Sequence, residues 1–184
     1  MKQISALIIT FILSFHPAAH AKEIQIDWLK TFATVAVPGE VIHGDMLRFV
    51  IQKNSCDQAF ILFSSYTYLK NPKIVELVKK KVPVSVNGLK TEALALSARP
   101  FLMGYIVMFQ VGKGSLEDLI PLLNATKNYQ ITITDNDHFK AEEYFDITNN
   151  NWDLSEIEPA IKQGQKLCTD HSDDPNLKPT KILS

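Results

Sequence analysis

The most chemically suggestive cluster in the chain is Asp135-Asn136-Asp137-His138. Carboxylate, amide and imidazole groups in one short turn are of the kind that bind a divalent cation. A calcium loop also needs a central glycine and a distant bidentate acid, and here Glu142 and Glu143 follow without the glycine. We therefore interpret residues 135–138 as a solvated turn. An enzyme that uses Asp135, Asp137 and His138 stays an alternative.

Other motifs that carry chemistry are missing from the sequence. It has no G-x-S-x-G elbow, no glycine-rich phosphate loop and no H-E-x-x-H metal helix, and only 7 glycines are present. His171, Asp173 and Asp174 are too sparse to predict a metal site. We predict a non-enzymatic protein with no catalytic residue, no cofactor and no bound metal.

Cys56 and Cys168 are the two cysteines of the chain. A nucleophilic thiol would need a histidine base nearby, and a zinc site would need four clustered ligands, neither of which the sequence indicates. In an oxidising compartment two thiols usually pair. A structural disulfide between Cys56 and Cys168 is the prediction, with a reactive thiol as the alternative.

Two further groups of side chains suggest binding. Tyr66 and Tyr68 flank Thr67 after the apolar run Phe60–Phe63, and exposed tyrosine pairs are common at interfaces. They are the candidate binding surface, and core packing at the strand end is the alternative. Lys79, Lys80 and Lys81 form the one basic run, which either contacts an anionic partner or complements a helix C-terminus.

The N-terminus has the three zones of a secretory signal peptide. Lys2 precedes the apolar run Ile4–Phe15, and Ala19-His20-Ala21 fits the small-x-small cleavage pattern. The apolar run is too short to span a bilayer. We expect cleavage near Ala21 and a periplasmic or secreted product without stable membrane insertion. Cleavage removes 21 of the 184 residues and leaves 18 basic and 20 acidic side chains, so nucleic acid is a poor partner.

Alternation of apolar and polar residues predicts a β-rich fold. The expected strands contain the following residues: Ile24, Ile26 and Trp28; Leu47, Phe49 and Ile51; Phe60–Phe63; Val82, Val84 and Val86; Leu94 and Leu96; Gly104–Val111; Tyr129, Ile131 and Ile133; and Tyr144, Phe145 and Ile147. Asn87-Gly88 predicts a two-residue hairpin turn.

Three segments have helical spacing instead. Asn71-Pro72 predicts the start of a short helix that reaches about Lys80, Ser115 predicts the cap of a helix to Ala125, and a third helix runs from about Ser155 to Cys168. The predicted fold is α+β: a small antiparallel β-sandwich or curled sheet with two or three helices, closed by one disulfide. We expect residues 22–168 to form the domain and residues 169–184 to form a flexible polar tail.

The order of elements over about residues 45–168 resembles the invasion-associated locus B family of bacterial periplasmic proteins. The likeness depends on the helix and strand in Leu119–Thr134, on Tyr144–Ile147, and on a last helix that ends in Cys168, with Cys56 after an early strand. The resemblance implies an envelope location, a role in host interaction or envelope stress, and no catalytic residues.

These patterns favour an exported protein that binds another macromolecule, with an envelope or host protein as the expected partner. A periplasmic inhibitor or immunity protein against a toxin or hydrolase is the first alternative. A small hydrolase or metal-binding enzyme is the second. The oligomeric state has no signature in the sequence.

Overall fold

The structure is a computed structural model, and it describes residues 23–41 and 45–171. The signal peptide predicted over residues 1–21, and the part of the predicted tail beyond His171, lie outside the described residues. No helix within the described ranges is long and apolar enough to cross a membrane.

The strands are β1 Gln25–Leu29, β2 Phe32–Pro38, β3 Met46–Gln52, β4 Gln58–Thr67, β5 Lys81–Val86, β6 Leu89–Phe101, β7 Gly104–Ser115, β8 Asn128–Ile133 and β9 Asn149–Asp153. The α-helices are α1 Leu116–Ala125 and α2 Ile157–Asp170.

The nine strands form one antiparallel sheet in the order β1-β2-β3-β4-β7-β6-β5-β8-β9. The sheet curls so that the end of β2 meets the last strand: the Glu40 N–H donates to the carbonyl oxygen of Asn151 at 3.0 Å. The Val41 N–H donates to Asn150 Oδ1 at 3.2 Å. The predicted β-rich class is confirmed, and the curled sheet is the form that the chain adopts.

The hairpin between β5 and β6 has the turn that its sequence predicts. Val86 pairs with Leu89, so Asn87 and Gly88 are the two turn residues. Their φ angles are 48° and 85°. Positive φ at both positions is the type I′ geometry that Asn-Gly adopts at low cost, and it matches the twist of the flanking strands.

Two of the three predicted helices are α-helices. Ser115 caps α1, because its Oγ accepts the Asp118 N–H at 3.1 Å. The helix predicted from Asn71-Pro72 to about Lys80 needs a correction: Asn71 caps it and Pro72 starts it, but it is a 3₁₀ helix that ends at Leu77. The chain then pairs with β6, because the Lys79 N–H donates to the Ala95 carbonyl oxygen at 2.7 Å. This pairing stops the helix before Lys80.

The predicted last strand is wrong. Tyr144–Ile147 forms no strand and follows a 3₁₀ turn at Ala141–Glu143. Phe145 is nevertheless buried, because its side chain packs beside Phe109. The actual last strand is the polar segment Asn149–Asp153, which pairs with β8.

Helix α2 covers β1, β2 and β3. A Cβ atom at Gly164 would lie 2.7 Å from Val35 Cγ2, so the absence of a side chain there lets the helix approach the sheet closely. The helix extends to Asp170, two residues past the predicted domain end, and His171 stacks on Trp28 with ring centroids 4.7 Å apart.

The predicted disulfide between Cys56 and Cys168 is confirmed, with Cα atoms 5.7 Å apart. Cys168 is fully buried on the inner face of α2. Cys56 lies in the loop between β3 and β4. The bond therefore fixes the last helix to the sheet.

Tyr129 on β8 predicts a loss of stability in alkali. Burial raises the pKa of Tyr129 to about 12. The unfolded chain loses this proton near pH 10, so the free energy of unfolding falls by about 2–3 kcal/mol as the pH rises from 10 to 12. Urea unfolding at pH 7, 10 and 12 measures this loss. Tyr129→Phe should lose less stability than wild type over that interval, and an equal loss would contradict the assignment.

Candidate functional site

The two tyrosines of the expected binding surface have different environments. Tyr66 is 2% exposed and Tyr68 is 56% exposed, and their rings meet edge to face at a centroid distance of 4.9 Å. The expectation of an exposed pair is corrected, because Tyr66 packs inward against Phe101 at the end of the sheet. Tyr68 alone presents its ring to solvent.

Tyr68 belongs to an exposed apolar region at the tip of the β6–β7 hairpin. We call Tyr68, Leu102 and Met103 the apolar tip. Leu102 and Met103 occupy the two turn positions and are 83% and 72% exposed. Leu102 has a φ of 50°, a conformation that favours glycine or asparagine. These exposed apolar side chains form a surface that the alternation of apolar and polar residues along the strands does not predict.

The basic run Lys79–Lys81 points its side chains to solvent. Lys81 pairs with Glu92 at 3.0 Å. The short helix ends at Leu77 with no basic residue in its last turn, and the run leads through the following turn into β5, which begins at Lys81.

The cluster Asp135–His138 is a turn closed by a bridge between Asn136 and Phe139. Asp135 Oδ1 accepts the Ala141 N–H at 2.9 Å, and Lys140 Nζ lies 3.2 Å from Asp135 Oδ2. The Ala141 N–H and then Lys140 hold the pKa of Asp135 below its usual value. Among the described residues no group of three or more His, Cys, Asp or Glu side chains has the geometry of a metal site.

A groove of about 370 Å³ lies where β1, the end of β9 and the start of α2 meet. Carboxylates line it at Glu23, Asp153 and Glu156, and all three residues are exposed. None of its described lining residues is Lys or Arg. We call it the acidic groove. Its other lining residues are Ile24, Ile26, Ser155, Pro159, Ala160 and Gln163.

The acidic groove owes its apolar part to two amphipathic elements. Ile24 and Ile26 alternate with the exposed residues Gln25 and Asp27, so β1 turns its isoleucines toward α2. Ala160 lies on the buried side of α2. Half-buried apolar groups beside three carboxylates are suited to a ligand that carries both apolar and cationic groups.

Asp153 is held in its charged form. Its Oδ1 accepts bonds from the Ser155 hydroxyl and from the Ser155 N–H, the latter at 2.9 Å. These bonds, the hydroxyl first, lower the pKa of Asp153 from its ordinary value. The groove therefore carries this negative charge at neutral pH.

The sequence offers partial signals for the acidic groove. The alternation in Ile24, Ile26 and Trp28 predicts β1, and the helix after Ser155 is predicted as well. Their proximity is not predictable, because about 130 residues separate Glu23 from Asp153 and the strand that contains Asp153 is polar. The disulfide between Cys56 and Cys168 would place α2 on the sheet but would not show which strand it crosses.

A scan against protein-family models, a search of curated proteins and a search of solved structures find no match to this chain.

Proposed function

We propose that this protein is exported and binds an extended segment of another protein in the acidic groove. The observation that carries the proposal is the combination of three carboxylates with apolar side chains in one groove at the edge of the sheet. A segment with Lys or Arg beside apolar residues complements both properties. The predicted signal peptide supports an envelope or host protein as the partner.

Charge provides selectivity for the proposed ligand. Exposed ion pairs contribute little individually, but three carboxylates with no cation among the described lining residues would steer and orient a cationic segment. Apolar contact with the half-buried side chains of Ile24 and Ile26 provides area that water would otherwise cover. Affinity should fall as salt rises, since the charge contacts are near the surface.

Peptide binding by the mature chain tests this function. The probe is a fluorescent capped octapeptide of alternating Lys and Val, compared with the same peptide in which Glu replaces Lys, by anisotropy at pH 7. We expect binding of the Lys peptide alone. Asp153→Asn with Glu156→Gln should weaken it about tenfold, because each lost charge pair is worth up to about 1 kcal/mol.

Two control variants make the measurement selective. Glu76→Gln with Glu142→Gln removes two exposed carboxylates outside the groove and should leave the affinity unchanged. Leu102→Ser with Met103→Ser changes the apolar tip and should also leave it unchanged. Failure of the Lys peptide to bind, or a loss of binding only in the tip variant, contradicts the proposal. The latter result would favour an inhibitor that presents the hairpin tip to a target.

A further inference from the structure

Successive residues of β2 direct their backbone N–H and C=O groups alternately toward β3 and toward β1. This alternation shows which residues of β1 bond to β2 and which point away from it. The Lys53 N–H donates to the Thr31 carbonyl at 2.8 Å, and the Gly39 N–H donates to the Asp45 carbonyl at 2.7 Å. Thr31 and Gly39 therefore face β3, and in an antiparallel strand every second residue does the same. The alternate residues Phe32, Thr34 and Ala36 then face β1.

The partners of these residues on β1 follow from the register. Phe32 pairs with Leu29, Thr34 with Asp27, and Ala36 with Gln25. These three residues of β1 direct their N–H and C=O groups toward β2. The N–H and C=O groups of Ile26 and Trp28 point the opposite way, as do those of Ile24 just before the strand. Ile24 and Ile26 also line the acidic groove.

The outward groups of β1 have no backbone partner among the described residues. In the sheet β1 has β2 as its one neighbour, and no further backbone bond reaches Ile24, Ile26 or Trp28 within the described ranges. The opposite edge of the sheet differs, because the Glu40 N–H bonds to Asn151 there. Within the described ranges, these outward N–H and C=O groups of β1 thus stay unpaired at the edge that borders the acidic groove.

We propose that the bound segment adds to the open edge of β1 as a tenth strand of the sheet. This inference rests on the proposed function and specifies its ligand class: an extended polypeptide with free N–H and C=O groups on one side. Backbone pairing would supply sequence-independent affinity, and alternate side chains would supply specificity. One set would face Ile26 and Ala160 in the groove, while the other would lie on the outer face beside Asp27, which is exposed.

The charge on the outer face of β1 should also affect which side chains the added strand prefers. Gln25, Asp27 and Leu29 point outward from β1, with Asp27 as the charged member. A cross-strand neighbour of opposite charge stabilises strand pairing, whereas a like charge opposes it. Cationic side chains on either face of the added strand are therefore favoured, and acidic ones are disfavoured.

Amide hydrogen exchange measured by NMR tests the strand addition. On saturation with the Lys-Val octapeptide, exchange of the Ile26 and Trp28 amides should slow at least about tenfold, because an open amide becomes hydrogen-bonded. The amides of Asp27 and Leu29 should change little, since they already bond to β2. Binding without protection of Ile26 and Trp28 overturns strand addition and leaves the proposed function standing. Absence of binding overturns the proposed function.

A pair of variants at one position gives a second readout. Ile26→Ala removes the side chain and keeps the outward N–H, whereas Ile26→Pro also removes the N–H. Proline is tolerated on an edge strand when its missing donor faces outward, so both variants should fold. We expect Ile26→Pro to bind the peptide at least about fivefold more weakly than Ile26→Ala, the effect of one lost hydrogen bond.

Equal affinities of the Ile26→Pro and Ile26→Ala variants overturn the strand addition. A second copy of this chain is the other possible occupant of the edge. Protection of Ile26 and Trp28 that grows with protein concentration in the absence of peptide would indicate pairing of β1 with β1, and it would also overturn the inference.

Discussion

Replacing both Cys56 and Cys168 by Ala is expected to lower the free energy of unfolding by about 5 kcal/mol. The bond spans 112 residues, and the loop entropy that it removes from the unfolded chain grows with the logarithm of that length. Small domains are stable by about 5–15 kcal/mol, so this is a large fraction of the total. Urea unfolding followed by circular dichroism measures it.

Reduction of the wild-type protein provides the matched comparison for the disulfide prediction. Wild type in excess reductant should unfold at nearly the same urea concentration as the double variant, because both lack the crosslink. The oxidised wild type should unfold at a higher concentration. A shared midpoint for all three samples would contradict the expected stabilisation by the Cys56–Cys168 bond.

The sequence predicts those parts of the fold whose pattern is local. Alternation identifies β1, β3, β5, β7 and β8, Asn87-Gly88 identifies its turn, and Ser115 identifies the start of α1. Each of these signals resides in fewer than about a dozen neighbouring residues. Even the pairing of Cys56 with Cys168 is predictable, because it follows from the count of cysteines and the expected compartment.

The last strand was not predictable because distant residues make it a strand. Asn149–Asp153 contains three asparagines, which are depleted in strands. Buried Asn150 is satisfied by its tertiary setting: its amide Nδ2 donates to the buried carboxylate of Asp45, and its Oδ1 accepts the Val41 N–H. Asp45 in turn accepts the Tyr66 N–H at 2.7 Å. The bonds of Asn150 to Asp45 and Val41 each span more than 100 residues of sequence.

The same distant contacts produce the acidic groove. The register of β9 against β8 sets the position of Asp153, and the curl of the sheet brings that position near β1. Local pattern predicts the apolar side of each element but not the juxtaposition of two sheet ends. The acidic groove can therefore be recognised only in the folded chain. The sequence suggests that Tyr66 and Tyr68 are both exposed, and the structure bears this out for Tyr68 alone.

Trp152→Ala is expected to lower the free energy of unfolding by about 3–5 kcal/mol, the cost of deleting a large buried aromatic side chain. Trp152 is 1% exposed on β9, and its ring meets Phe63 edge to face at 6.4 Å between centroids. Phe63 stacks on Phe109, so Trp152 joins the last strand to the centre of the sheet. Chemical denaturation measured by circular dichroism gives the loss.

Two variants separate packing from polar effects at Trp152. Its indole Nε1–H is buried without a hydrogen-bond partner among the described residues. Trp152→Phe therefore forfeits no hydrogen bond and should cost less than Trp152→Ala by about 2 kcal/mol, since most of the ring volume stays. Trp28→Phe, at the partly exposed edge strand, should cost less than about 1 kcal/mol. Equal losses at Trp28 and Trp152 would mean that β9 does not pack on the core, and the acidic groove that β9 helps to line would then lose its basis.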